Sequence, residues 1–287
     1  MDYANDERLQ LKENQQIALE ILKRVSEVCD EQNIRYYLVF GTLIGAVRHG
    51  GFIPWDDDLD IMMPRPDHDR FVEYFVTHQE QFPHLRIFTP ELNPEYPYMI
   101  TRVSDDRYRI VMDNEKPYGM GVFIDIYPYD GMGDTWEEAV NYQKKGDWLS
   151  SCCFQASRLH YEQGITKTLL KKIIKVPVFV LCKMIGKDFF QKKLNKIARE
   201  KPYDTSKYVG NAVWGSGGDV CIYDRRLFEE SVMVDFEGYK FKAPIGYDAF
   251  LKHIYGNYME LPPENKRKPH HGYYVIRNLD YEPKFDC

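Results

Sequence analysis

Four aspartates lie close together in the run from Phe40 to Arg65, which reads FGTLIGAVRHGGFIPWDDDLDIMMPR. In an extended strand alternate side chains share a face, so we expect Asp56, Asp58 and Asp60 to point one way while Leu59 points into a core. Three like charges on one face repel each other, and this is costly beside apolar neighbours unless a cation lies among them. Carboxylate oxygens suit Mg²⁺ or Mn²⁺. The stretch therefore predicts a divalent-metal site.

The residues before the acids suggest what the metal holds. Gly41 lets the backbone approach a ligand closely, and Thr42 is expected to cap a short helix whose free N–H groups and positive dipole end face a phosphate. A phosphate-binding turn beside a metal-binding strand is typical of phosphoryl or nucleotidyl transfer. In such reactions the protein positions the reactants and neutralises charge.

A further acid lies in the predicted strand 121–127, where Asp125 is the only charged residue of GVFIDIY. Alternation along the strand places Asp125 on the face opposite to its valine and isoleucine neighbours. An aspartate isolated in an apolar strand is rarely a solvated surface residue, so we predict a functional role. The alternative, a carboxylate that caps a turn, is a role we assign to Asp130 in YPYDGM.

Three motifs resemble the LicD family of phosphocholine (diphosphonucleoside choline) transferases, which are relatives of the fukutin-related phosphotransferases. They read GTLIGAVRHGGFIPWDDDLDI, GVFIDIYPYDGM and IGYDAFLKHIYGNYMELPP. That family resembles a branch of the DNA-polymerase-β-type nucleotidyltransferase superfamily. The resemblance implies that Gly41-Thr42 is the glycine turn, Asp58-x-Asp60 the acidic pair and Asp125 the third carboxylate. Thr42 departs from the commoner Ser or Gly, and the gap to Asp58 is longer than in minimal members.

The function implied by the resemblance is metal-dependent transfer of phosphocholine, or a similar phospho-alcohol, from CDP-choline or a related CDP-alcohol. The acceptor would be a hydroxyl of a cell-surface glycan, lipid-linked glycan, lipopolysaccharide or teichoic-acid precursor. Asp58, Asp60 and Asp125 would be catalytic and bind Mg²⁺ or Mn²⁺, with Asp56 as an outer ligand. Composition and spacing alone support only metal-dependent phosphoryl transfer. Two alternatives are nucleotidyl transfer from an NTP to a small molecule and a catalytically silent metal- or nucleotide-binding module.

Two other acidic-motif interpretations fit less well. An EF-hand loop that starts at Asp56 would need Gly at its sixth position and Glu at its twelfth, but Ile61 and Asp67 stand there. A glycosyltransferase also uses an Asp-x-Asp motif to bind metal, but no other feature favours that class over the glycine-turn pattern.

Further candidate binding residues surround these motifs. Arg48 and His49 are placed to bind phosphate oxygens, and Trp55 and Tyr127 offer aromatic faces to a quaternary ammonium. The 22 tyrosines of the chain fit such a ligand. Near the C-terminus, Lys266, Arg267 and His270 are candidates to face an anionic substrate. The pair His270-His271 has no Cys at ligand spacing, so no zinc site is predicted.

The overall composition limits the function classes. A formal net charge of −6 argues against a general nucleic-acid binder. The six cysteines show no CxxC spacing, so reduced thiols are expected. The N-terminal segment is charged and polar, unlike a signal peptide. We therefore expect a cytoplasmic protein.

The order of predicted elements favours an α+β fold: a nucleotidyltransferase-like mixed sheet flanked by helices, with a helical insertion and a small C-terminal α/β subdomain. Residues 1–134 would form the catalytic core, 135–201 a basic helical segment and 202–287 a subdomain that completes the site. The predicted helices cover 6–31, a segment led by Asp67, much of 135–198, and 247–255. The predicted strands cover 36–40, 85–88, 98–103, 107–112, 121–127 and 220–223, with hairpins at Asp105-Asp106 and at 231–242.

The segment 167–201 carries ten Lys and one Arg against two acids, a net charge of +9 on a chain of −6 overall. Its apolar run 176–182 contains Pro177 and is much shorter than the roughly 20 residues that span a bilayer. We predict a peripheral contact with an anionic acceptor or with the inner face of the membrane. The alternative is a solvated lysine face over a buried apolar stripe.

Overall fold

The computed structural model describes residues 8–116, 118–161, 169–214, 218–269 and 272–282. Within them it contains seven α-helices and eleven strands. The strands pair in both parallel and antiparallel fashion. This confirms the α+β class with a mixed sheet that the sequence predicts.

The bounds of the elements are as follows. The α-helices are α1 (Leu11–Glu31), α2 (Phe40–Ile44), α3 (Arg65–Thr77), α4 (Trp136–Ser157), α5 (Leu169–Ile185), α6 (Lys187–Ala198) and α7 (Tyr247–Tyr255), and a π-helix (Gly45–His49) continues α2. The strands are β1 (Tyr37–Leu38), β2 (Asp60–Pro64), β3 (Leu85–Phe88), β4 (Thr101–Asp105), β5 (Tyr108–Val111), β6 (Val122–Gly133), β7 (Tyr208–Gly210), β8 (Ile222–Asp224), β9 (Ser231–Phe236), β10 (Tyr239–Pro244) and β11 (Tyr274–Arg277).

The central sheet runs in the order β1-β2-β6-β4-β3, and β7 pairs with β6 and β8. Strand β6 is parallel to β2 and antiparallel to β4. It is twelve residues long and buried at all but one position, as expected for a continuous apolar strand covered on both faces. Because β6 exceeds its neighbours in length, its first residues pair with β4 and β2 and its last residues pair with β7.

Helix α1 packs its apolar side against the sheet, in contact with β4 and β6. The predicted start at residue 6 lies outside the described residues, and the helix begins at Leu11. There the backbone N–H of Gln10 donates to the carboxylate of Glu13 at 2.9 Å, which satisfies a donor that the first turn leaves unpaired. Its buried apolar residues recur at the helical spacing and include Ala18, Ile21, Leu22, Val25 and Val28.

The predicted hairpin at Asp105-Asp106 is wrong. A turn is present, because Asp105 accepts hydrogen bonds from the backbone N–H and the guanidinium of Arg107. However, β4 pairs with β3 and β6, whereas β5 pairs with β11 near the C-terminus. Turn residues indicate a change of direction but do not determine which strand becomes the partner.

Several strand bounds also differ from the prediction. Strand β1 ends early because Phe40, at a φ of 48° in the left-handed region, turns the chain into α2. Strand β2 begins only at Asp60, so Asp56 and Asp58 lie in the preceding loop and the alternation argument does not apply to them. The predicted strands 98–103 and 220–223 are shifted by one to three residues along the chain.

Asp130 does not cap a turn. It lies in β6 with no solvent exposure, and its carboxylate accepts from Nε and Nη2 of Arg65 at 2.6 and 3.2 Å. Both carboxylates of β6 are thus paired with an arginine from a neighbouring element.

Other predicted elements are confirmed. The hairpin β9–β10 turns at Glu237 and Gly238, both with positive φ, and α7 has the predicted bounds. Helices occupy most of 135–198. The division at residues 134 and 201 stays a prediction. Within the described residues, we find no helix with the length and apolar character that crossing a bilayer requires.

We expect Asp130→Asn to lower the free energy of unfolding by roughly 3 kcal/mol, because it leaves the largely buried Arg65 without its charged partner. Urea denaturation measures the change. Asp235→Asn, which removes the exposed pair with Lys240, is the matched control and should cost less than about 1 kcal/mol. Equal losses in the two variants would contradict the structural role of the buried pair.

Candidate active site

Three charged side chains form a row across the central sheet. Asp60 on β2 is the register partner of Asp125 on β6, and Asp125 is in turn the partner of Arg102 on β4. Partners at one register point to the same face, so the three side chains are neighbours. All three are buried. Asp60, Asp125 and Arg102 are called the acid row below.

Arg102 holds Asp125 in place. Its Nε donates to Asp125 Oδ1 at 2.6 Å. The guanidinium carbon also lies 4.3 Å from the ring centre of Tyr98 and 4.1 Å from that of Phe123, so the cation is fixed between two aromatic rings. Arg102 was not among the predicted site residues. It is nevertheless a single charged residue in an apolar predicted strand, which is the feature that identified Asp125.

Asp60 is a strongly perturbed carboxylate of the site. Burial, together with the charges of Asp58, Asp125 and Asp56, raises its pKa well above the usual value. Its Oδ1 is buried and receives no hydrogen bond from the part of the chain that the structure describes. A buried carboxylate oxygen without a donor, among like charges, is the environment that a bound cation stabilises.

Thr42 positions Asp60 but does not cap a helix as predicted. It lies inside α2, where Val39 is the N-cap residue. Its hydroxyl Oγ1 accepts the backbone N–H of Asp60 at 2.7 Å, with both groups buried. The hydroxyl therefore ties α2 to the start of β2, and the sequence alone does not show this contact because the two residues are 18 positions apart.

Gly41 leaves room for a carboxylate. A Cβ atom at this position would lie 2.6 Å from Asp56 Oδ2, closer than a side chain tolerates. Close approach is the role predicted for Gly41, but the group that approaches in the structure is a carboxylate of the protein itself.

The loop before β2 contains the tightest group of acids. Carboxylate oxygens of Asp56, Asp57 and Asp58 lie within 4.8 Å of one another, and no other three acids in the described ranges do so. Side-chain amides of α1 support this loop, since Asn14 donates to the carbonyl of Asp57 at 3.1 Å and Gln15 to that of Asp56 at 2.8 Å. Asp57 was not among the predicted ligands.

The predicted ligands are thus close together, but in two groups. Asp56 and Asp58 belong to the loop group, and Asp60 and Asp125 to the acid row, and the charges of all of them act on Asp60. An all-carboxylate donor set with one buried oxygen that accepts no hydrogen bond fits Mg²⁺ or Mn²⁺. The choice of Asp58, Asp60 and Asp125 as ligands stays a prediction.

A cleft of about 530 Å³ opens over these acids and is called the acidic cleft below. Gly41, Arg48, Trp55 and Lys266, all predicted binding residues, line it. The other lining residues are Phe40, Ile44, Ile53, Asp56, Asp58, Asp60, Tyr255, Asn257, Tyr258, Glu260 and Pro262. The segment 255–262 belongs to one of the motifs that carry the family resemblance, but none of its residues is among the predicted binding residues.

Arg48 makes structural contacts within the cleft. Its Nη1 donates to the carbonyls of Tyr258 and Glu260 at 2.6 and 3.2 Å, which ties the π-helix to the C-terminal wall of the cleft. Its Nε contacts the ring of His49 at 3.0 Å, and that ring packs edge-on to Trp55. Arg48 therefore shapes the cleft, and its predicted contact with phosphate stays a prediction.

The two predicted aromatic residues differ in position. Trp55 lines the cleft, but the guanidinium of Arg267 lies 5.7 Å from its ring centre, and Arg267 Nε donates to the Pro262 carbonyl. Tyr127 does not line the cleft and packs edge-on to Phe40 at 5.1 Å. His270 lies outside the described residues.

We expect Asp60→Asn to raise the melting temperature in EDTA at neutral pH, because the raised pKa means that the charged carboxylate destabilises the folded state. The gain should be roughly 2–4 °C for each kcal/mol of repulsion removed. It should shrink as the pH falls and vanish below about pH 4, the pKa of an unfolded aspartate, because the carboxyl is then protonated in both states. Calorimetry measures it, with the exposed Asp280→Asn as control. A lower melting temperature at neutral pH would contradict the repulsion argument.

The chain is similar to known proteins over a region that includes the first two motifs. Residues 33–168 match the family described as LicD/FKTN/FKRP, nucleotidyltransferase domain. The lipopolysaccharide cholinephosphotransferase LicD of Haemophilus influenzae is 34% identical over 269 residues, which cover 92% of this chain and 97% of that protein. The ribitol 5-phosphate transferase FKRP of Homo sapiens is 45% identical over 42 residues, 15% of this chain and 8% of that protein.

The long alignment confirms the family resemblance, because it includes almost the whole of both chains. The short alignment shows similarity to the fukutin-related group over one segment only. This chain belongs to the LicD family and is a phosphotransferase of the LicD type.

Proposed function

We propose that the enzyme transfers phosphocholine, or a similar phospho-alcohol, from a CDP-activated donor such as CDP-choline to a hydroxyl of a cell-surface glycan or lipid-linked glycan precursor. The observation that carries the proposal is the alignment with the lipopolysaccharide cholinephosphotransferase over 97% of that protein. The carboxylate groups and the adjoining cleft supply a site in which such a reaction could occur.

We further propose Mg²⁺ or Mn²⁺ as the cofactor. Asp58, Asp60 and Asp125 would hold the ion, with Asp56 as an outer ligand, and the buried Asp60 Oδ1 supports this choice. When bound, the ion would neutralise the donor diphosphate and the charge that develops on the departing CMP.

The chain's own residues then have distinct roles. Arg102 orients Asp125 and Thr42 orients Asp60, so the ligand set is positioned before the donor binds. Lys266 adds a positive charge to the wall of the acidic cleft, where the donor diphosphate would lie. The acceptor oxygen forms a bond to the phosphorus that carries choline, the bond from that phosphorus to CMP breaks, and the hydroxyl proton leaves to solvent.

We expect Asp58→Asn, Asp60→Asn and Asp125→Asn each to lower kcat by more than about 100-fold, since each removes a metal ligand. CMP release from CDP-choline with an acceptor measures turnover. EDTA should abolish it and Mg²⁺ or Mn²⁺ should restore it. Metal at 100 times its dissociation constant should stabilise the wild type by about 2.7 kcal/mol and each variant by less.

Asp57→Asn is the matched control for this series, because Asp57 lies in the same loop but outside the proposed ligand set. It should keep most of the activity. Loss of activity in Asp57→Asn with a retained rate in Asp125→Asn would instead assign the metal to the loop group of Asp56, Asp57 and Asp58.

The reaction class is tested by the leaving group. Phosphocholine transfer from CDP-choline releases CMP, whereas nucleotidyl transfer from an NTP releases pyrophosphate. If the protein releases pyrophosphate from CTP in the presence of an alcohol and never releases CMP from a CDP-alcohol, the proposed function is wrong.

We also propose that the segment 167–201 contacts the anionic surface that carries the acceptor. On α5 the apolar side chains of Val180, Leu181 and Met184 are 49%, 55% and 80% exposed. The alternative, a buried apolar stripe under a lysine face, therefore does not describe these three positions. Helix α6 is different, because Phe190 and Leu194 are buried. Exposed apolar residues between lysines suit a membrane interface with anionic lipid.

We expect the double variant Leu181→Ser with Met184→Ser to weaken binding to vesicles that contain phosphatidylglycerol, because it removes exposed apolar surface. Replacement of the exposed Lys175, Lys192 and Lys193 by Glu should weaken it further at low salt. Sedimentation with vesicles measures both effects. Met233→Ser, at a similarly exposed position on β9, is the control. Unchanged vesicle binding in both the apolar variant and the lysine variant would overturn the proposed contact. Loss of metal-dependent CDP-choline hydrolysis without acceptor would overturn it as well.

A further inference from the structure

A cavity of about 470 Å³ adjoins the acid row at the end away from the acidic cleft, and is called the second cavity below. Asp60 lines the acidic cleft, Arg102 lines the second cavity, and Asp125 lies between these two residues in the sheet. The two spaces are therefore reached from opposite ends of one row of three side chains.

The charged side chains in the wall of the second cavity balance one another. Among the described residues they are two acids and two arginines: Asp113, Glu115, Arg102 and Arg158. Glu115 is buried and accepts hydrogen bonds from Arg158 Nη1 and from the hydroxyl of Tyr98. A wall with equal numbers of positive and negative groups has no net attraction for a diphosphate or for a quaternary ammonium. The second cavity therefore suits a neutral ligand better than either charged part of the donor.

Two of these charged groups are placed to bind hydroxyl groups of a ligand. Arg102 Nε is bonded to Asp125, but the two terminal nitrogens of Arg102 have no hydrogen-bond acceptor in the described ranges of the chain. Asp113 is exposed, so its carboxylate oxygens are accessible to a ligand. A guanidinium only donates hydrogen bonds and a carboxylate only accepts them, whereas a hydroxyl does both. One donor and one acceptor in the same wall fit a ligand with several hydroxyl groups.

Aromatic rings supply most of the remaining wall. They belong to Tyr98, Phe123, Phe154, Trp214 and Tyr273. Trp214 packs on Tyr98 with 5.4 Å between the ring centres and remains partly exposed. The C–H face of a sugar ring is apolar enough to pack on an aromatic ring, while the hydroxyl groups at its edge form hydrogen bonds. Aromatic walls with a few polar groups are typical of sites for small organic ligands.

The geometry of phosphoryl transfer separates the acceptor from the leaving group. The attacking oxygen and the leaving oxygen lie roughly in line on opposite sides of the phosphorus. The donor diphosphate would lie in the acidic cleft, so CMP leaves on that side. The acceptor hydroxyl must then approach from the other end of the acid row, where the second cavity lies.

We propose that the second cavity binds a sugar ring of the acceptor, with its apolar face on Trp214 and its hydroxyl groups on Arg102 and Asp113. This assignment rests on the proposed function, since it places the acceptor of that reaction. One further hydroxyl of the bound sugar faces the acid row. Its oxygen forms a bond to the phosphorus that carries choline, the bond from that phosphorus to CMP breaks, and the hydroxyl proton leaves to solvent.

The experiment titrates the full chain, in the presence of Mg²⁺, with the methyl glycosides of glucose, galactose and N-acetylglucosamine, and follows binding by saturation-transfer NMR. The wild type should bind at least one of the three. Trp214→Leu should weaken that binding by about 3- to 10-fold, and Asp113→Ala by about 2- to 10-fold, because each removes a contact with the sugar. Trp148→Leu and Asp280→Ala, at exposed positions outside the second cavity, are the matched controls and should bind the glycoside as the wild type does.

Trp214→Phe keeps an aromatic face and should recover part of the affinity lost in Trp214→Leu, which separates ring contact from a folding defect. If Trp214→Leu does not fold, Asp113→Ala decides the outcome. Failure of the wild type to bind any of the three glycosides overturns the proposal, and so does wild-type affinity in either cavity variant. Equal losses of glycoside binding and of CDP-choline binding in Trp214→Leu would assign the cavity to the donor and overturn it as well.

CMP release from CDP-choline measures the proposed function separately. If that reaction occurs and the cavity variants bind the glycoside as the wild type does, the acceptor assignment fails and the transferase function stands. If the cavity variants lose glycoside binding but the wild type never releases CMP from a CDP-alcohol, the sugar site stands and the proposed function fails.

Discussion

Repulsion between buried carboxylates is the constraint on which the rest of this structure depends. Asp60 and Asp125 are adjacent on two parallel strands, and the charges of Asp56 and Asp58 also act on Asp60. Such an arrangement opposes folding unless other groups hold each acid in place. The hydroxyl of Thr42 fixes the backbone of Asp60, and Arg102, clamped between aromatic rings, fixes the carboxylate of Asp125. Two side-chain amides of α1 support the loop that carries Asp56. The scaffold therefore keeps a charged site that a metal ion would stabilise.

The same groups explain why distant segments converge on the site. Arg48 ties the π-helix to the carbonyls at Tyr258 and Glu260, which closes the acidic cleft with residues from near the C-terminus. Strand β11 pairs with β5, and Tyr273 just before it packs on Phe123 of β6. C-terminal residues therefore form one wall of the acidic cleft, while its aspartates at 56, 58 and 60 come from the first half of the chain.

The sequence by itself determined the fold class, the family, most helices and the β9–β10 hairpin, and it predicted that the acids at 56, 58, 60 and 125 lie close together. These depend on local signals: residue spacing, turn residues and a charge isolated in an apolar run. Only the tertiary structure decided that Thr42 binds the backbone of Asp60, that Asp130 pairs with Arg65, that β5 pairs with β11 and that Arg102 joins the site. Each of these is a contact between residues far apart in the chain. Many residues in the sequence are able to form the same hydrogen bond, and several segments are able to pair with the same strand edge. Packing of the whole chain, and not a local pattern, therefore selects the partner.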